Sequence, residues 1–504
     1  MRVSIATTAC LLSAISTVYA VNTIEVRGQD FVDSVTNDRF VIIGVDYQPG
    51  GQGAYGEANS QDPLSNATAC LRDAALMQEL GVNTIRTYNV DPTLNHDECA
   101  SIFDSVGIYM ILDVNSPLSG ESIDRSNPYG TYSTSYLEHI FSVVESFKSY
   151  PNTLAFFAGN EVINDIPTAQ NGNPNVMRAV VRDIKNYLKN NSPRQIPVGY
   201  SAADVREVLQ DTWEYMQCAI DGDESDMSRS DFFGLNSYSW CGGDATFSSA
   251  GYDVLATMFA NTSVPVFFSE YGCNEVTPRV FDEVQALYSP EMTVMSGGLI
   301  YEWSQEPSNY GLVTIYSNGS LQLLGDFAAL QGQYNKVNVT LLENSNATAT
   351  GIAPPTCASS LISDDGFSSD FDIPSPPDGA EDVISSGISN APTGSIVPVT
   401  RTQVDLPIYA TNGALINDLV IRASNGSNTP SGEDTGSKAS ASPSSSASSA
   451  SSASRTQSDT PTSTGSSGAS SAATATSTGA ANALVGIRAS GALAVLLGAG
   501  MLAL

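Results

Sequence analysis

Between residues 41 and 334, short apolar runs alternate with segments whose apolar positions recur at helical spacing. Val41–Gln48 precedes a helical pattern over Cys70–Leu80, Thr84–Val90 precedes Cys99–Val106, and Ile108–Asn115 precedes Tyr136–Lys148. In that last segment Leu137, Ile140, Phe141, Val144 and Phe147 share one helical face. The alternation continues with Leu154–Glu161 and Val176–Lys189, Pro197–Ala202 and Val205–Tyr215, Phe232–Trp240 and Tyr252–Phe259, Val264–Tyr271 and Arg279–Tyr288, and Gly298–Trp303 and Leu324–Tyr334. Eight strand–helix units predict an α/β fold, a (β/α)8 TIM barrel. An open nucleotide-binding sheet would carry a glycine fingerprint after its first strand; here that strand runs into Asp-Tyr-Gln-Pro-Gly-Gly.

The pattern stops outside this region. Residues 1–20 read as a signal peptide: Arg2 is followed by the largely apolar Val3–Val18, and Val18-Tyr19-Ala20 offers a cleavage site. Residues 21–360 then form the expected catalytic domain. Residues 361–434 read as a linker, largely irregular, and 435–478 as a stalk of Ser, Thr, Ala and Gly that cannot bury a core. Residues 479–504 place small residues, a short spacer and an uncharged apolar tail in the order of a GPI-attachment signal, with Gly479 the expected attachment residue. This organisation predicts an extracellular protein held at the outer leaflet of the plasma membrane, or passed to the cell wall.

Charge and cysteines agree with export. The formal net charge of −32 argues against nucleic acid and anionic lipid as partners and suits a neutral one. Six cysteines follow the signal peptide: Cys70, Cys99, Cys218, Cys241, Cys273 and Cys357. An even number in a secreted chain points to disulfides, although the sequence alone does not choose their pairing. With His96 and His139 the only histidines, a histidine-built metal site is not expected, nor is any other cofactor. N-glycosylation sequons stand at Asn66, Asn190, Asn261, Asn318, Asn338, Asn346 and Asn425.

Two segments carry the chemistry. Phe-Phe-Ala-Gly-Asn-Glu (156–161) and Phe-Phe-Ser-Glu-Tyr-Gly (267–272) put Glu161 and Glu270 at the ends of the fourth and seventh apolar runs. A barrel keeps its chemistry at the C-terminal ends of its strands. Two carboxylates facing one glycosidic bond are the usual minimum for cleaving it: one protonates the leaving oxygen and the other attacks the anomeric carbon. Asn160, beside Glu161, can hold a sugar hydroxyl. Other strand ends offer Asp46, Tyr47 and Gln48, then Arg86 and Tyr88, then Asp113 and Asn115, then Tyr238, Trp240 and Tyr301, groups suited to stacking on and orienting a sugar.

The chain resembles the fungal GPI-anchored β-1,3-glucanosyltransferases, family 72 of the glycoside hydrolases, over about residues 22–357. The resemblance rests on Gly-Val-Asp-Tyr-Gln-Pro-Gly-Gly (44–51), Ile-Arg-Thr-Tyr-Asn-Val (85–90), Leu-Asp-Val-Asn-Ser-Pro (112–117), Ala-Gly-Asn-Glu-Val (158–162), Ser-Glu-Tyr-Gly-Cys-Asn (269–274) and Gly-Gly-Leu-Ile-Tyr-Glu-Trp (297–303). It implies Glu161 as acid/base and Glu270 as nucleophile. It implies glucan contacts for Gln48, Tyr88, Asp113, Asn160, Tyr238 and Tyr301, and disulfides Cys70–Cys99, Cys218–Cys357 and Cys241–Cys273. With no cysteine after Cys357, the chain is similar to the subgroup without a cysteine-rich carbohydrate-binding module.

The expected activity is internal cleavage of a β-1,3-glucan donor and transfer of its new reducing end to the non-reducing end of an acceptor glucan, by a monomeric enzyme. One rival is an endo-β-1,3-glucanase that passes the same intermediate to water. Another is a non-catalytic wall adhesin that uses the barrel only to hold sugar.

Overall fold

The computed structural model describes residues 21–56, 62–344, 351–389 and 392–430. The expected signal peptide, stalk, GPI signal with Gly479, and the sequon at Asn346 lie outside the described residues.

Eight parallel strands close into a barrel. They are β1 (Ile42–Asp46), β2 (Thr84–Thr87), β3 (Tyr109–Asp113), β4 (Thr153–Asn160), β5 (Val198–Ala203), β6 (Phe233–Asn236), β7 (Val266–Tyr271) and β8 (Met295–Ile300), each paired with its neighbours and β8 with β1. Between and after them run α1 (Ala67–Leu80), α2 (Asp97–Ser105), α3 (Thr134–Phe147), α4 (Asn173–Asn191), α5 (Leu209–Gln217), α6 (Tyr252–Met258), α7 (Glu283–Leu287) and α8 (Gly325–Tyr334).

Local chemistry sets these boundaries. Asn66 caps α1 by accepting from the Thr68 and Ala69 amides, and Ser133 caps α3 by accepting from Tyr136 N. Two predicted elements are shorter than the apolar pattern suggested. Phe233–Asn236 ends before Tyr238 and Trp240, which stand on the following loop. The helix predicted over Arg279–Tyr288 begins only at Glu283, because Phe281 takes a positive φ of 54° and breaks the helical path.

The barrel interior below the strand ends is apolar. Phe157, Phe232 and Phe267 pack together there, and Phe31 joins them from an N-terminal three-stranded antiparallel sheet (Ile24–Arg27, Asp30–Asp33, Arg39–Phe40) that closes the bottom. Arg39 pins this plug through a buried ion pair with Asp30 at 2.7 Å and bonds to the Thr293 and Met295 carbonyls beside β8. The larger core lies between strands and helices.

Residues 361–430 contain little regular structure but pack along the barrel's outer helices. The Asp211 carboxylate on α5 accepts from Ser363 N, Ser363 Oγ and Asp364 N. Phe371 stacks on Tyr215 with centroids 4.8 Å apart. The short helix Ala380–Ser386 packs on α4 and α3, and Ile408–Tyr409 pairs with the strand Leu321–Leu323. The segment ends beneath the barrel, where the buried Asn428 bonds to the Gly107 and Val82 carbonyls. Gly81, at φ 88°, shows how close this approach is: a Cβ there would lie 2.4 Å from Pro430.

Candidate active site

Glu161 follows β4 and Glu270 lies in β7, both at the C-terminal end of the barrel. Glu161 sits in the left-handed region, with φ 49°. For a residue with a Cβ this costs on the order of 1–2 kcal/mol, and such strain concentrates at functional sites. The bond from Glu161 N to Ser201 O, 2.8 Å, holds the turn.

A polar layer across the barrel aims the Glu161 carboxylate. Ser201 and Ser269 both donate to Asn236 Oδ1, at 3.1 and 2.8 Å. With its oxygen occupied by two donors, Asn236 must turn its NH2 the other way. Nδ2 therefore donates to Glu161 Oε1 at 2.8 Å and to Asn160 Oδ1 at 3.1 Å.

Glu270 is buried and receives three donors. Tyr238 Oη donates to Oε2 at 2.7 Å, Tyr88 Oη to Oε1 at 2.8 Å, and the Arg86 guanidinium to Oε1 at 3.3 Å. Burial holds both phenols well above their usual range, so they remain donors. Burial likewise pushes Glu270 up to about 7, opposed chiefly by Arg86; the Glu161 charge adds to the rise, and the Tyr238 and Tyr88 hydroxyls act against it. The two glutamates thus feel one another electrostatically while sitting in unlike surroundings: one amide for Glu161, a cation and two phenols for Glu270.

Arg86 is fully buried. It is bidentate to Asp113, Nε to Oδ1 at 2.9 Å and the second terminal nitrogen to Oδ2 at 2.8 Å, and its Cζ lies 4.4 and 4.5 Å from the ring centroids of Tyr88 and Phe157. A guanidinium so held can neutralise a neighbouring carboxylate without moving.

The sequence profile of the Glucanosyltransferase family, family 72 of the glycoside hydrolases, matches residues 13–338. The chain belongs to this family. It is similar to the 1,3-beta-glucanosyltransferase gel2 of Aspergillus fumigatus, at 54% identity over 434 residues, covering 86% of this chain and 89% of that relative. It is similar to the probable 1,3-beta-glucanosyltransferase GAS3 of Saccharomyces cerevisiae, at 44% identity over 405 residues and 77% of each chain. Among solved structures it resembles a Saccharomyces cerevisiae Gas2p mutant in complex with laminaritetraose and laminaripentaose, with TM-score 0.60, 33% identity, and coverage of 72% of this chain and 76% of that one.

In this glucanosyltransferase-family chain Gln48, Asp113 and Tyr301 stand at the same mouth, whereas Tyr47 points outward to Asp73 and Phe103, and Trp240 packs on Tyr252. Gln48 Oε1 accepts from the Tyr88 and Asn89 amides at 3.2 and 3.0 Å, which fixes the loop that carries Tyr88. Both Asp113 oxygens are engaged by Arg86. Tyr301 meets Tyr88, Tyr238 and Tyr310 edge to face, forming an aromatic wall. The Cys241–Cys273 disulfide ties the loop after β6 to the loop after β7, next to Tyr238 and Glu270. Cys70–Cys99 joins α1 to α2, and Cys218–Cys357 fastens the segment after the barrel to the end of α5. Among the described residues, the one cluster of metal-ligand type is Cys241, Cys273 and Glu275, whose sulfurs are bonded to one another.

Asn236, Ser201, Ser269 and Tyr310 were not singled out from the sequence. For Asn236, Ser201 and Ser269 the available signal is a polar residue interrupting an apolar strand near its C-terminal end; Tyr310 lies in a loop and has no such signal. A cavity of about 740 Å³ at the opposite end of the barrel is lined by Asp33, Arg39, Asn338 and Asn425 among others, and shares none of this chemistry.

Proposed function

We propose that the protein is a 1,3-β-glucanosyltransferase in which Glu161 is the acid/base and Glu270 the nucleophile. The observation that carries the assignment is the asymmetry of the pair. Three donors converge on Glu270, directing its lone pairs and opposing the rise that burial imposes on it, whereas Glu161 is held by a single amide.

Glu161 protonates the glycosidic oxygen as Glu270 attacks the anomeric carbon. The C–O bond breaks, the reducing-side fragment leaves as an alcohol, and a glycosyl ester forms on Glu270. Glu161, now a carboxylate, removes the proton of an acceptor 3-hydroxyl. The acceptor oxygen displaces Glu270 and the β configuration is restored. The free energy of the cleaved bond is kept in the ester, so the chain needs neither a nucleotide sugar nor a metal for the exchange. Tyr88, Asn160, Tyr238 and Tyr301 form the glucan-contacting set, while Asp113 acts through Arg86 and Gln48 through the Tyr88 loop. The laminari-oligosaccharides bound by Gas2p support β-1,3-glucan as donor and acceptor.

The protein acts outside the cell, on wall glucan, as a GPI-anchored monomer. Among the described residues no helix is long and apolar enough to cross a membrane. Residue 430 leaves the barrel beside Gly81 and Gly107, at the N-terminal ends of the strands.

The test is incubation with a reduced laminari-oligosaccharide and sizing of the products. Products longer than the donor, lost in Glu161→Gln and Glu270→Gln, support the reading. Shorter products alone make the chain a hydrolase, and full activity in either variant removes the assigned pair.

A further inference from the structure

The cavity beneath the barrel takes no part in the scheme above. It measures about 740 Å³ and is bounded by three separate pieces of chain: the N-terminal sheet, the residues after α8, and the end of the segment 361–430. That volume suits a small polar ligand. Asp33, Asp38 and Arg39 line it from the sheet, and Asn335 and Glu343 from beyond α8. Arg39 is 6% exposed, and its Nη1 is buried without a partner among the described residues. A guanidinium N–H left in this way is uncommon and calls for an acceptor from outside the chain.

The same cavity gathers two sequons that are far apart in sequence. All three residues of Asn338-Val339-Thr340 and of Asn425-Gly426-Ser427 line it. The two asparagines are held differently. Asn338 precedes the short helix Val339–Asn344, and its Oδ1 accepts from Leu341 N at 3.0 Å, which turns its side chain onto its own helix. Around Asn425 it is the backbone that is fastened, to the end of α2 and the turn after it. Ser424 N donates to Ser105 O at 2.8 Å and Asn428 N to Gly107 O at 2.8 Å, and both Ser424 and Asn428 are buried. Ser424 Oγ closes the turn by donating to Gly426 O at 2.7 Å. Between these anchors the Asn425 side chain is exposed and makes no hydrogen bond among the described residues.

We propose that Asn425 carries an N-linked glycan whose first two N-acetylglucosamine residues lie in this cavity and hold the end of the segment 361–430 against the N-terminal sheet. Attachment joins Asn425 Nδ2 to C1 of a preassembled oligosaccharide: Nδ2 gives up one proton, and the bond from C1 to the lipid pyrophosphate carrier breaks. The sugar hydroxyls are donors for the carboxylates of Asp33, Asp38 and Glu343, and the hydroxyl and N-acetyl oxygens are acceptors of the kind that Arg39 Nη1 lacks. The inference rests on export of the chain and is independent of the catalytic assignment.

The experiment uses the full chain, secreted with high-mannose glycans, and its Asn425→Gln and Ser427→Ala variants. Glycopeptide mass spectrometry reads each sequon before and after treatment with an endo-β-N-acetylglucosaminidase, which cuts between the first two sugars, on folded and on denatured protein. The Asn425 glycan should be cut at least about tenfold more slowly in the folded protein, because a buried linkage is reached only when its seat opens. Both variants should lack the glycan and melt lower by about 2 °C or more. Ser427→Ala leaves Asn425 itself in place, so equal shifts assign the effect to the sugar. The proposal is overturned by an unmodified Asn425 while other sequons carry glycans, by an Asn425 glycan cut as fast in the folded protein as in the denatured one, or by melting that is unchanged in both variants or lowered in only one. A chain without a glycan at any sequon removes the exported reading as well.

Discussion

Arg86 and Asp113 meet through two nearly parallel N–H···O bonds of 2.9 and 2.8 Å, with both side chains buried and the guanidinium set between the rings of Tyr88 and Phe157. Asp113 therefore acts by fixing a cation, and that cation faces Glu270. Arg86→Lys keeps the charge but loses the fork and the flat contact with the rings. We expect kcat/KM to fall about 10²–10³-fold, as for loss of a preorganised electrostatic contact. The acid limb should move to higher pH, because Arg86 holds the Glu270 carboxyl down. Steady-state kinetics across pH check both; an unchanged profile would remove Arg86 from the control of Glu270.

Tyr238→Phe isolates one donor. The Tyr238 hydroxyl bonds to Glu270 Oε2 and favours the carboxylate. Its removal makes ionisation harder, so the acid limb moves up, while the ring and its packing against Tyr301 and Tyr310 remain. A loss of about tenfold in kcat with a smaller change in KM is expected. A rise in KM alone would assign Tyr238 to sugar binding only.

Stability should decline from mildly acidic to mildly alkaline pH. Burial pushes Glu270, Asp104 and Glu283 up to about 7 and Glu302 up to about 8. Between their ordinary values and these, the folded state holds protons that the unfolded chain has released. Their stabilising contribution is complete below about pH 4 and is lost as pH rises through 7 to 8. Asp97 and Asp226, held below the usual range by hydrogen bonds that outweigh partial burial, act oppositely and lose their contribution as pH falls below 4. The melting temperature should therefore peak at about pH 4–5 and drop several degrees by pH 8. A melting temperature that rises steadily from pH 5 to 8 would contradict this.

Residues beyond 360 are expected to stabilise the barrel they pack on. A chain ending at 360 loses the three donors to Asp211, which is only 2% exposed, and uncovers Tyr215 where Phe371 stacks. A chain ending at 430 keeps both. The shorter chain should melt lower by roughly 5 °C or more, or aggregate, while the longer one matches the full protein. Equal melting of the two would reduce residues 361–430 to a passive connection.

Much of the barrel and its mouth was legible in the sequence because the information is local. Val41–Gln48 and Leu154–Glu161 show strand character in their own apolar runs, and the end of each run is where a parallel barrel exposes side chains. The loop positions of Tyr238 and Trp240 were less legible, since the apolar pattern continues after β6 has stopped pairing at Asn236. Residues 361–430 look like a linker because their apolar residues are sparse and without period. Phe367, Phe371, Ile384 and Ile408 gain their burial or packing from helices and strands far away in the chain.

The sequence by itself determined that strands and helices alternate eight times and that two glutamates end the fourth and seventh runs. Periodicity and strand-end position are properties of neighbouring residues. Only the tertiary structure decided how those glutamates differ. Arg86 from β2, Tyr88 from the loop after it and Tyr238 from the loop after β6 converge on Glu270, while two serines from β5 and β7 turn the Asn236 amide toward Glu161. A carboxyl's proton affinity depends on burial and on charges and donors a few ångströms away, and closing the barrel is what brings those groups together.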